Sequence, residues 1–198
     1  MGQQKNRRSK TLRPGRLRIV AGQWRSRLLA VADESALRPT PERIRETLFN
    51  WLSPNIEGKR CLDLFAGSGA LGFEALSRGA ASSTFVERSK KSAELLRQNV
   101  ALLQASGATV HEEDAFEFLS GKNDVTYDIV FLDPPFADDR LEDLCRLLVG
   151  SGKLASAARI YLEREQGQAL PVLPDGWVLI KEKAAGNVSY ALVSTCPD

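Results

Sequence analysis

The chain has 198 residues, of which 43% are hydrophobic and 26% are charged. This length allows one substantial core with an arm but not two full domains, and the composition excludes a disordered or fibrous protein. No apolar run approaches the roughly 18 residues of a membrane span, and none follows the basic N-terminus as in a signal peptide. We therefore expect a cytoplasmic protein without membrane contact, and a monomer, because so small a chain has room for one cleft.

The formal net charge of +2 hides two regions of opposite sign. Residues 1–32 contain nine Lys or Arg and no acid, which leaves 18 basic and 25 acidic residues in the remainder. Cations clustered on an acidic body are typical of a nucleic-acid-binding arm. Cys61, Cys145 and Cys196 form no C-x-x-C pair, so we expect reduced cysteines and no metal site.

The N-terminal region divides into two segments. Residues 1–15 have no hydrophobic periodicity and are predicted to be a disordered lead-in. Residues 16–32 alternate charged and apolar side chains on either side of Ala21 to Gln23, which predicts a short hairpin with a basic face. The remainder, 33–198, is assigned to the main domain.

A helix is predicted to begin after Thr40, with Thr40 as its N-cap and Pro41 at the first helical position. Apolar residues at helical spacing give this helix a packing face, made of Ile44, Leu48, Trp51 and Leu52. The polar residues between them are expected to face elsewhere, namely Arg43, Arg45, Glu46 and Asn50.

From Cys61 onward, strand and helix patterns alternate, which predicts an α/β fold with a mostly parallel sheet. The predicted strands cover 61–65, 83–87, 109–113, 127–133 and 159–163. Helices are predicted between them, beginning near Ala70, Ser89, Phe116 and Leu141. Two β-rich runs then flank a turn at 184–187, which predicts a closing hairpin.

A glycine-rich turn leads from the first of these strands into a helix. Gly67 and Gly69 allow a tight turn and a close approach of the backbone to a ligand. With Gly72 they spell G-x-G-x-x-G, and Glu87 ends the next strand, where an acid binds ribose in a dinucleotide site. NAD is therefore a rival to any other nucleoside cofactor at this loop.

Two further acids bear on that choice. Asp63 lies in the strand just before the loop, where a carboxylate suits a methionine ammonium better than a pyrophosphate. Asp114 ends the third strand, followed by Ala115, and borders the same cleft because open α/β sheets bind ligands at their carboxyl edge. Asp114 is equally suited to cap the helix that begins at Phe116.

The tetrapeptide Asp133-Pro134-Pro135-Phe136 follows a buried strand to this edge, and its prolines stiffen the backbone. An exocyclic amine of a base is a poor nucleophile because its lone pair is delocalised into the ring. The Asp133 carboxylate and the Pro134 carbonyl can each accept one N–H and direct the lone pair at a methyl donor, while Phe136 stacks on the base. These residues predict methyl transfer to the amino group of a base.

With DLFAGSGALG, FVE, EDA and DPPF in this order, the chain resembles the Rossmann-like class I methyltransferases that act on amino groups. The stretches RIVAGQWRSR, LRPTPERIRETLFNWL and DPPF resemble more specifically the RsmD family, which methylates guanine N2 in 16S ribosomal RNA. The resemblance covers nearly the whole chain. It implies a seven-stranded sheet with an antiparallel last strand, S-adenosylmethionine as cofactor, and 16S rRNA or a small-subunit assembly intermediate as partner.

The resemblance also implies roles for individual residues. Glu87 would bind the cofactor ribose, and Asp114 and Ala115 would lie near its adenine. The methionine moiety would lie on the backbone of the loop around Asp63, formed by Phe65, Ala66, Gly67 and Gly69. The segment from Arg38 to Thr40 would cover the cofactor. RNA contacts would come from the hairpin, through Arg16, Arg18, Trp24, Arg25 and Arg27.

Three alternatives stay open. An adenine-N6 methyltransferase acting on DNA or RNA would use the same tetrapeptide, although no separate target-recognition domain fits in this chain. An NAD oxidoreductase would need a hydride-transfer partner, and His111 is the only histidine. Against a non-catalytic RNA-binding module stand the intact glycines and tetrapeptide, although a fold never proves activity. The choice of guanine over adenine rests on the resemblance.

Overall fold

The structure is a computed structural model that describes residues 15–32, 40–122, 124–135 and 140–195. The predicted lead-in therefore lies outside the described residues except for Gly15. Arg38, Phe136 and Cys196 also lie outside them. Within these ranges the chain forms nine strands, five α-helices and one short 3-10 helix.

The elements follow the predicted order. Two strands form the N-terminal hairpin: β1 (Gly15–Arg18) and β2 (Leu28–Val31). The other strands are β3 (Arg60–Asp63), β4 (Ser82–Val86), β5 (Ala108–His111), β6 (Tyr127–Leu132), β7 (Leu154–Glu165), β8 (Val178–Ala185) and β9 (Val188–Ser194). The α-helices are α1 (Glu42–Leu52), α2 (Ala70–Ser77), α3 (Lys90–Leu103), α4 (Ala115–Ser120) and α5 (Leu141–Gly150). A 3-10 turn at Ser53–Asn55 follows α1.

The seven strands after the hairpin form one sheet in the order β5-β4-β3-β6-β7-β9-β8. Neighbours from β5 to β7 are parallel, whereas β9 runs antiparallel to both β7 and β8. A helix connects each successive pair of parallel strands, so the carboxyl ends of β3 to β7 lie at one edge. The predicted mostly parallel sheet with an antiparallel last strand is confirmed.

Helices cover both faces of the sheet. On one face, α1 contributes Ile44 and Leu48 to a buried cluster that includes residues of β3, β6, β7 and β9. On the other face, α4 and α5 pack against the same strands. The predicted basic hairpin is present, and it packs on the domain through Leu17 and Leu29, which join Phe73 of α2 in a third cluster.

Backbone hydrogen bonds attach the turn of the hairpin to α2. The Ser77 carbonyl accepts from the Gln23 N–H at 2.8 Å, and the Ser77 hydroxyl accepts from the Trp24 N–H at 3.0 Å. Gly22 lies against the same carbonyl with a φ of +82°, and a Cβ at this position would lie 1.8 Å from the oxygen. The turn is therefore in direct backbone contact with the domain, where no side chain fits at Gly22.

Two predictions for the start of α1 are wrong. Pro41 occupies the N-cap position and no side chain caps the helix. The Thr40 hydroxyl donates to the Asp133 carboxylate instead, because a charged acceptor makes a stronger hydrogen bond than a backbone group. Arg45 is buried rather than solvated, because the Glu74 carboxylate of α2 lies 3.2 Å from its guanidinium.

We expect Gly22→Ala to loosen the hairpin, because the added methyl group would collide with the Ser77 carbonyl. Gly58→Ala is the matched control, since Gly58 has a φ of +71° but nothing within 4 Å of an added Cβ. The control should lose about 1–2 kcal/mol of unfolding free energy for its left-handed backbone, and Gly22→Ala roughly 1–3 kcal/mol more for the collision.

Urea unfolding measures this difference, and limited trypsin digestion at Arg25 and Arg27 reports a released hairpin. Equal stability and equal protease resistance of the two variants would contradict the packing of Gly22 on α2.

Candidate active site

Four acidic residues lie where neighbouring parallel strands end. Asp63 is the last residue of β3, Glu87 follows β4, Asp133 follows β6, and Asp114 lies just after β5 at the start of α4. The strand order brings them to the sheet edge in the sequence Asp114, Glu87, Asp63, Asp133. The structure thus brings together the predicted acids at the carboxyl edge of the sheet, where α/β proteins bind ligands.

The glycine loop between β3 and α2 depends on positive φ angles. Gly67 has a φ of +50° and Gly69 a φ of +77°, and these residues turn the chain from the strand into the helix. A Cβ on Gly72 would lie 2.3 Å from the Phe85 ring, so this third glycine lets α2 pack closely on β4. The loop backbone is therefore held at the sheet edge, as the glycine pattern predicts.

Backbone N–H groups in and next to this loop donate hydrogen bonds to carboxylates of the protein. The Glu87 carboxylate accepts from the Gly67 N–H and from the Ser89 N–H, both at 2.7 Å. The Asp63 carboxylate accepts from the Gly72 N–H at 3.1 Å. In dinucleotide sites such N–H groups face a pyrophosphate, which two carboxylates would repel. The arrangement disfavours NAD and fits a nucleoside ligand that carries positive charge.

Asp63 lies beneath the loop, with 2% of its surface exposed. Burial raises the pKa of Asp63 to about 7, although the hydrogen bond from Gly72 opposes this rise. Asp133 and Glu87 add to the rise through their negative charge. The observed role of Asp63 is to hold the loop, and its contact with a methionine ammonium stays a prediction.

Asp114 performs the capping role that the sequence left open. Its carboxylate accepts from the Phe116 N–H at 2.8 Å and caps α4. The side chain remains partly exposed at the sheet edge, and Ala115 behind it is buried. A contact of Asp114 and Ala115 with the cofactor adenine therefore remains a prediction that capping does not prevent.

Asp133 belongs to a hydrogen-bonded group that spans three elements. Its Oδ2 accepts from the Thr40 hydroxyl at 3.2 Å, and Thr40 also opposes the rise that burial causes in the pKa of Glu163 of β7. Glu163 is buried and accepts from the Tyr161 hydroxyl at 2.7 Å. Pro134 is buried, whereas Asp133 keeps part of its surface open. Asp133 is thus fixed on one side and accessible on the other.

Burial raises the pKa of both carboxyl groups in this cluster, to about 7 for Asp133 and about 8 for Glu163. The Thr40 hydroxyl opposes the rise at Asp133, whereas the charge of Asp133 adds to the rise at Glu163. Glu163 is the more deeply buried of the two, so burial opposes its charged form more strongly than it opposes that of Asp133.

Tyr161 and Glu163 are two site residues that no sequence motif marks. The run RIYLE was assigned to a strand without regard to which face each residue would occupy. Alternate residues of a strand share a face, so Tyr161 and Glu163 were already predictable as neighbours. Their proximity to Asp133 depends on the pairing of β6 with β7, where Leu132 lies opposite Leu162.

The four arginines predicted to contact RNA lie exposed on the hairpin: Arg16, Arg18, Arg25 and Arg27. Arg18 lies 3.8 Å from Glu42 at the start of α1. Trp24 is only partly exposed and packs against the cluster beneath the hairpin. The hairpin thus presents a basic surface, and its contact with RNA, including stacking by Trp24, stays a prediction.

No helix in the described part of the chain has the length and apolar composition needed to cross a membrane. Across the same ranges, no group of three or more His, Cys, Asp or Glu side chains is arranged to hold a metal ion.

The family model described as Conserved hypothetical protein 95 matches residues 17–194. Ribosomal RNA small subunit methyltransferase D of Escherichia coli K12 is 49% identical over 178 residues, which cover 90% of this chain and 89% of that protein. The protein of the same name from Haemophilus influenzae is 46% identical over 181 residues, covering 90% of this chain and 93% of its own.

Solved structures give the same result. A methyltransferase structure from Escherichia coli has a TM-score of 0.85 and 47% identity, covering 91% of this chain and 98% of its own. A methylase structure from Haemophilus influenzae has a TM-score of 0.80 and 42% identity, covering 92% and 100%. A methyltransferase solved with SAH has a TM-score of 0.67 at 16% identity, over 84% of this chain and 52% of that one, and shares the fold alone. The predicted class I methyltransferase fold is confirmed, and this chain belongs to the RsmD family that its motifs resemble.

Proposed function

We propose that this protein transfers a methyl group from S-adenosylmethionine to the exocyclic N2 amine of a guanine in 16S rRNA of the small ribosomal subunit. The observation that carries the proposal is the position of Asp133, which is fixed by Thr40 and open on its other side. Because β6 pairs with β3, this acceptor lies one strand away from the glycine loop. An amine acceptor beside a nucleoside site is the arrangement that methyl transfer to a base requires.

The ribosomal substrate is supported by the two relatives named Ribosomal RNA small subunit methyltransferase D, at 49% and 46% identity. Support for guanine N2 over adenine N6 comes from the resemblance of RIVAGQWRSR, LRPTPERIRETLFNWL and DPPF to the RsmD family. The tetrapeptide by itself serves either base.

The residues at the sheet edge fit S-adenosylmethionine. When bound, this cofactor supplies an electrophilic methyl group on a positively charged sulfur. Negative charge from Asp63, Glu87 and Asp133 favours a cationic ligand at this edge. Glu87 would bind the ribose hydroxyls and Asp114 would lie near the adenine. The methyltransferase of the same fold that was solved with SAH supports this class of cofactor.

Asp133 and Pro134 are proposed to act on the amine of the base. The ionised carboxylate and the backbone carbonyl each accept one N–H, which directs the nitrogen lone pair away from them and toward the methyl group. As the N–C bond formed, the bond between the methyl carbon and the sulfur would break; the nitrogen would keep both protons and become positively charged, and Asp133 is placed to accept one of them. Phe136 is proposed to stack on the base and keep its plane fixed.

The hairpin is proposed to bind the RNA backbone. Its exposed arginines attract phosphates without reading sequence, and their binding should weaken as salt concentration increases. The target guanine would leave its stack and enter the cleft, because a base within a helix cannot present its amine to Asp133. The lead-in, residues 1–15, carries further positive charge. Deleting it would show whether it contributes to RNA affinity.

Methyl transfer from labelled S-adenosylmethionine tests this function directly. The substrates are naked 16S rRNA, small subunits that lack the modification, and duplex DNA, and the labelled nucleoside is identified after digestion. We expect label on guanine N2 of the ribosomal substrates. Label on adenine, or on DNA alone, would replace the proposal by the adenine-N6 alternative.

Asp133→Ala and Glu87→Ala should fail in different ways. Loss of the amine acceptor should lower kcat by about 100-fold or more with little change in cofactor affinity. Loss of the ribose ligand should chiefly raise the cofactor Kd, by about tenfold or more. Asp128→Ala is the control, since Asp128 lies near the opposite end of β6 beside Lys59. Single-turnover rates and calorimetric titration separate the two effects, and the reverse pattern would refute these roles.

The rate should depend on the charge of Asp133. Burial raises the pKa of Asp133 to about 7, so the carboxyl is protonated below that pH and cannot accept an N–H. The ionisable groups that face it are Asp63, Glu163 and Tyr161. We expect kcat/KM for RNA, measured at saturating cofactor, to increase as the pH rises through about 7 and then level off.

Glu163→Gln tests which carboxyl group sets this profile. The rise should persist in the variant, because the titrating group is Asp133. A flat profile in the unmodified protein, or loss of the rise in Glu163→Gln, would contradict the assignment.

A further inference from the structure

We infer that Arg45 and Glu74 are positioning residues that fix Thr40 against Asp133 and anchor the basic hairpin to the same buried carboxylate. This inference rests on the proposed role of Asp133 in methyl transfer. It assigns a task in the reaction to two residues that lie in α1 and α2, outside the glycine loop and the tetrapeptide.

The Glu74 carboxylate has no exposed surface and accepts from four donors. Its Oε2 accepts from the Val20 N–H at 2.8 Å and from the Arg45 guanidinium at 3.2 Å. Its Oε1 accepts from the Ala21 N–H at 3.0 Å and from the Arg78 Nε–H at 2.8 Å. The hairpin backbone and α1 are therefore bound to the same side chain of α2.

Arg45 continues this network toward the active site. Its Nη1 donates to Glu74, and its Nε donates to the Thr40 carbonyl at 3.2 Å. The guanidinium is planar and 1% exposed, so the two hydrogen bonds keep a fixed relative direction. The Thr40 hydroxyl then donates to Asp133. A continuous series of hydrogen bonds thus runs from the hairpin through Glu74, Arg45 and Thr40 to Asp133.

Stability alone does not account for this pair of charges. A buried ion pair is often no more stabilising than apolar side chains of similar volume, and the surrounding cluster offers such packing. Arg45 provides two N–H donors with fixed directions, one to Glu74 and one to the Thr40 carbonyl. Thr40 precedes α1 at an end where no side chain forms a capping bond, and the Arg45 Nε–H holds its carbonyl. Loss of this bond would leave the Thr40 backbone, and with it the direction of its hydroxyl toward Asp133, less constrained.

Arg45→Lys is the principal test. Lysine keeps a positive charge that can pair with Glu74 but lacks the planar fork that also reaches the Thr40 carbonyl. We expect kcat to fall about tenfold, the effect of losing one well-placed hydrogen bond, with unchanged KM for RNA and unchanged cofactor Kd. Arg97→Lys is the matched control. Because Arg97 pairs with Glu112 on the surface, this substitution should leave kcat unaffected.

A double-variant cycle shows whether Arg45 acts through Thr40. Thr40→Val removes the hydroxyl and should lower kcat at least as much as Arg45→Lys does. If Arg45 acts by positioning Thr40, the combined Arg45→Lys and Thr40→Val variant should be no slower than Thr40→Val alone. Effects that multiply would overturn the inference, because they would mean that the two residues act independently.

Glu74→Gln examines the link to the hairpin. The neutral amide has an NH2 group in place of one accepting oxygen, so one hairpin N–H and one arginine lose their acceptor, and Arg45 loses its negatively charged partner. We expect a higher KM for RNA together with a lower kcat. Thermal unfolding and circular dichroism establish whether this variant folds; if it does not, Arg45→Lys and Thr40→Val still decide.

The failure of this inference differs from the failure of the proposed function. A folded Arg45→Lys variant with unchanged kcat would overturn the positioning role while Asp133 remained essential. Full turnover in Asp133→Ala would instead remove the role of Asp133 on which the proposed chemistry depends.

Discussion

The Glu74 carboxylate joins the hairpin and α1 to α2, has no exposed surface and accepts two hydrogen bonds on each of its oxygens. A buried charge is costly unless every lone pair is satisfied, so its donors cannot move independently without exposing that cost. Those donors belong to the hairpin, to α1 and to Arg78, which follows the last residue of α2. Because α2 also begins at the glycine loop, one helix carries the proposed cofactor loop at its start and the anchor of the hairpin farther along.

The acids at the sheet edge divide into two groups by exposure. Asp63 and Glu163 are buried and hold other parts of the site, namely the glycine loop and the hydroxyl groups beside Asp133. Glu87, Asp114 and Asp133 are partly exposed and remain able to meet a ligand. A G-x-G-x-x-G loop is ambiguous as a string of letters, but with carboxylates on two of its N–H groups it is a poor site for phosphate. The ligand choice thus depends on side chains outside the motif.

Much of this fold was predictable because its signals are local. The alternation of strands and helices, the turn glycines and the capping Asp114 all depend on residues within a few positions of one another. Arg45 and Thr40 were misjudged for the opposite reason: their partners Glu74 and Asp133 lie 29 and 93 positions away. A lone arginine in an amphipathic helix is normally solvated, and only the tertiary packing of α1 on α2 reverses that expectation.

The candidate site was predicted in outline but not in depth. Asp133, Asp63 and Glu87 were predictable as site residues because each lies at the end of a recognisable strand, next to the tetrapeptide or the glycine loop. Glu163 was not predictable as a site residue because nothing near it in sequence resembles a motif. Its place beside Asp133 follows from the register of β6 and β7. The roles of residues toward the cofactor and RNA involve molecules outside the chain. For these roles the sequence indicates the residue types and their positions and not the contacts.

The placement of β9 has a consequence for how the protein is made. The last strand inserts between β7 and β8, so β8, although synthesised earlier, gains its neighbour in the sheet only when β9 is in place. Until then β7 presents an unpaired edge that includes Tyr161 and Glu163, and open strand edges are prone to pair with other chains. A chain interrupted in the turn before Val188 would therefore possess every residue of the site and still lack the strand that supports its β7 side. Completion of the sheet, and with it of the β7 side of the site, therefore waits for β9.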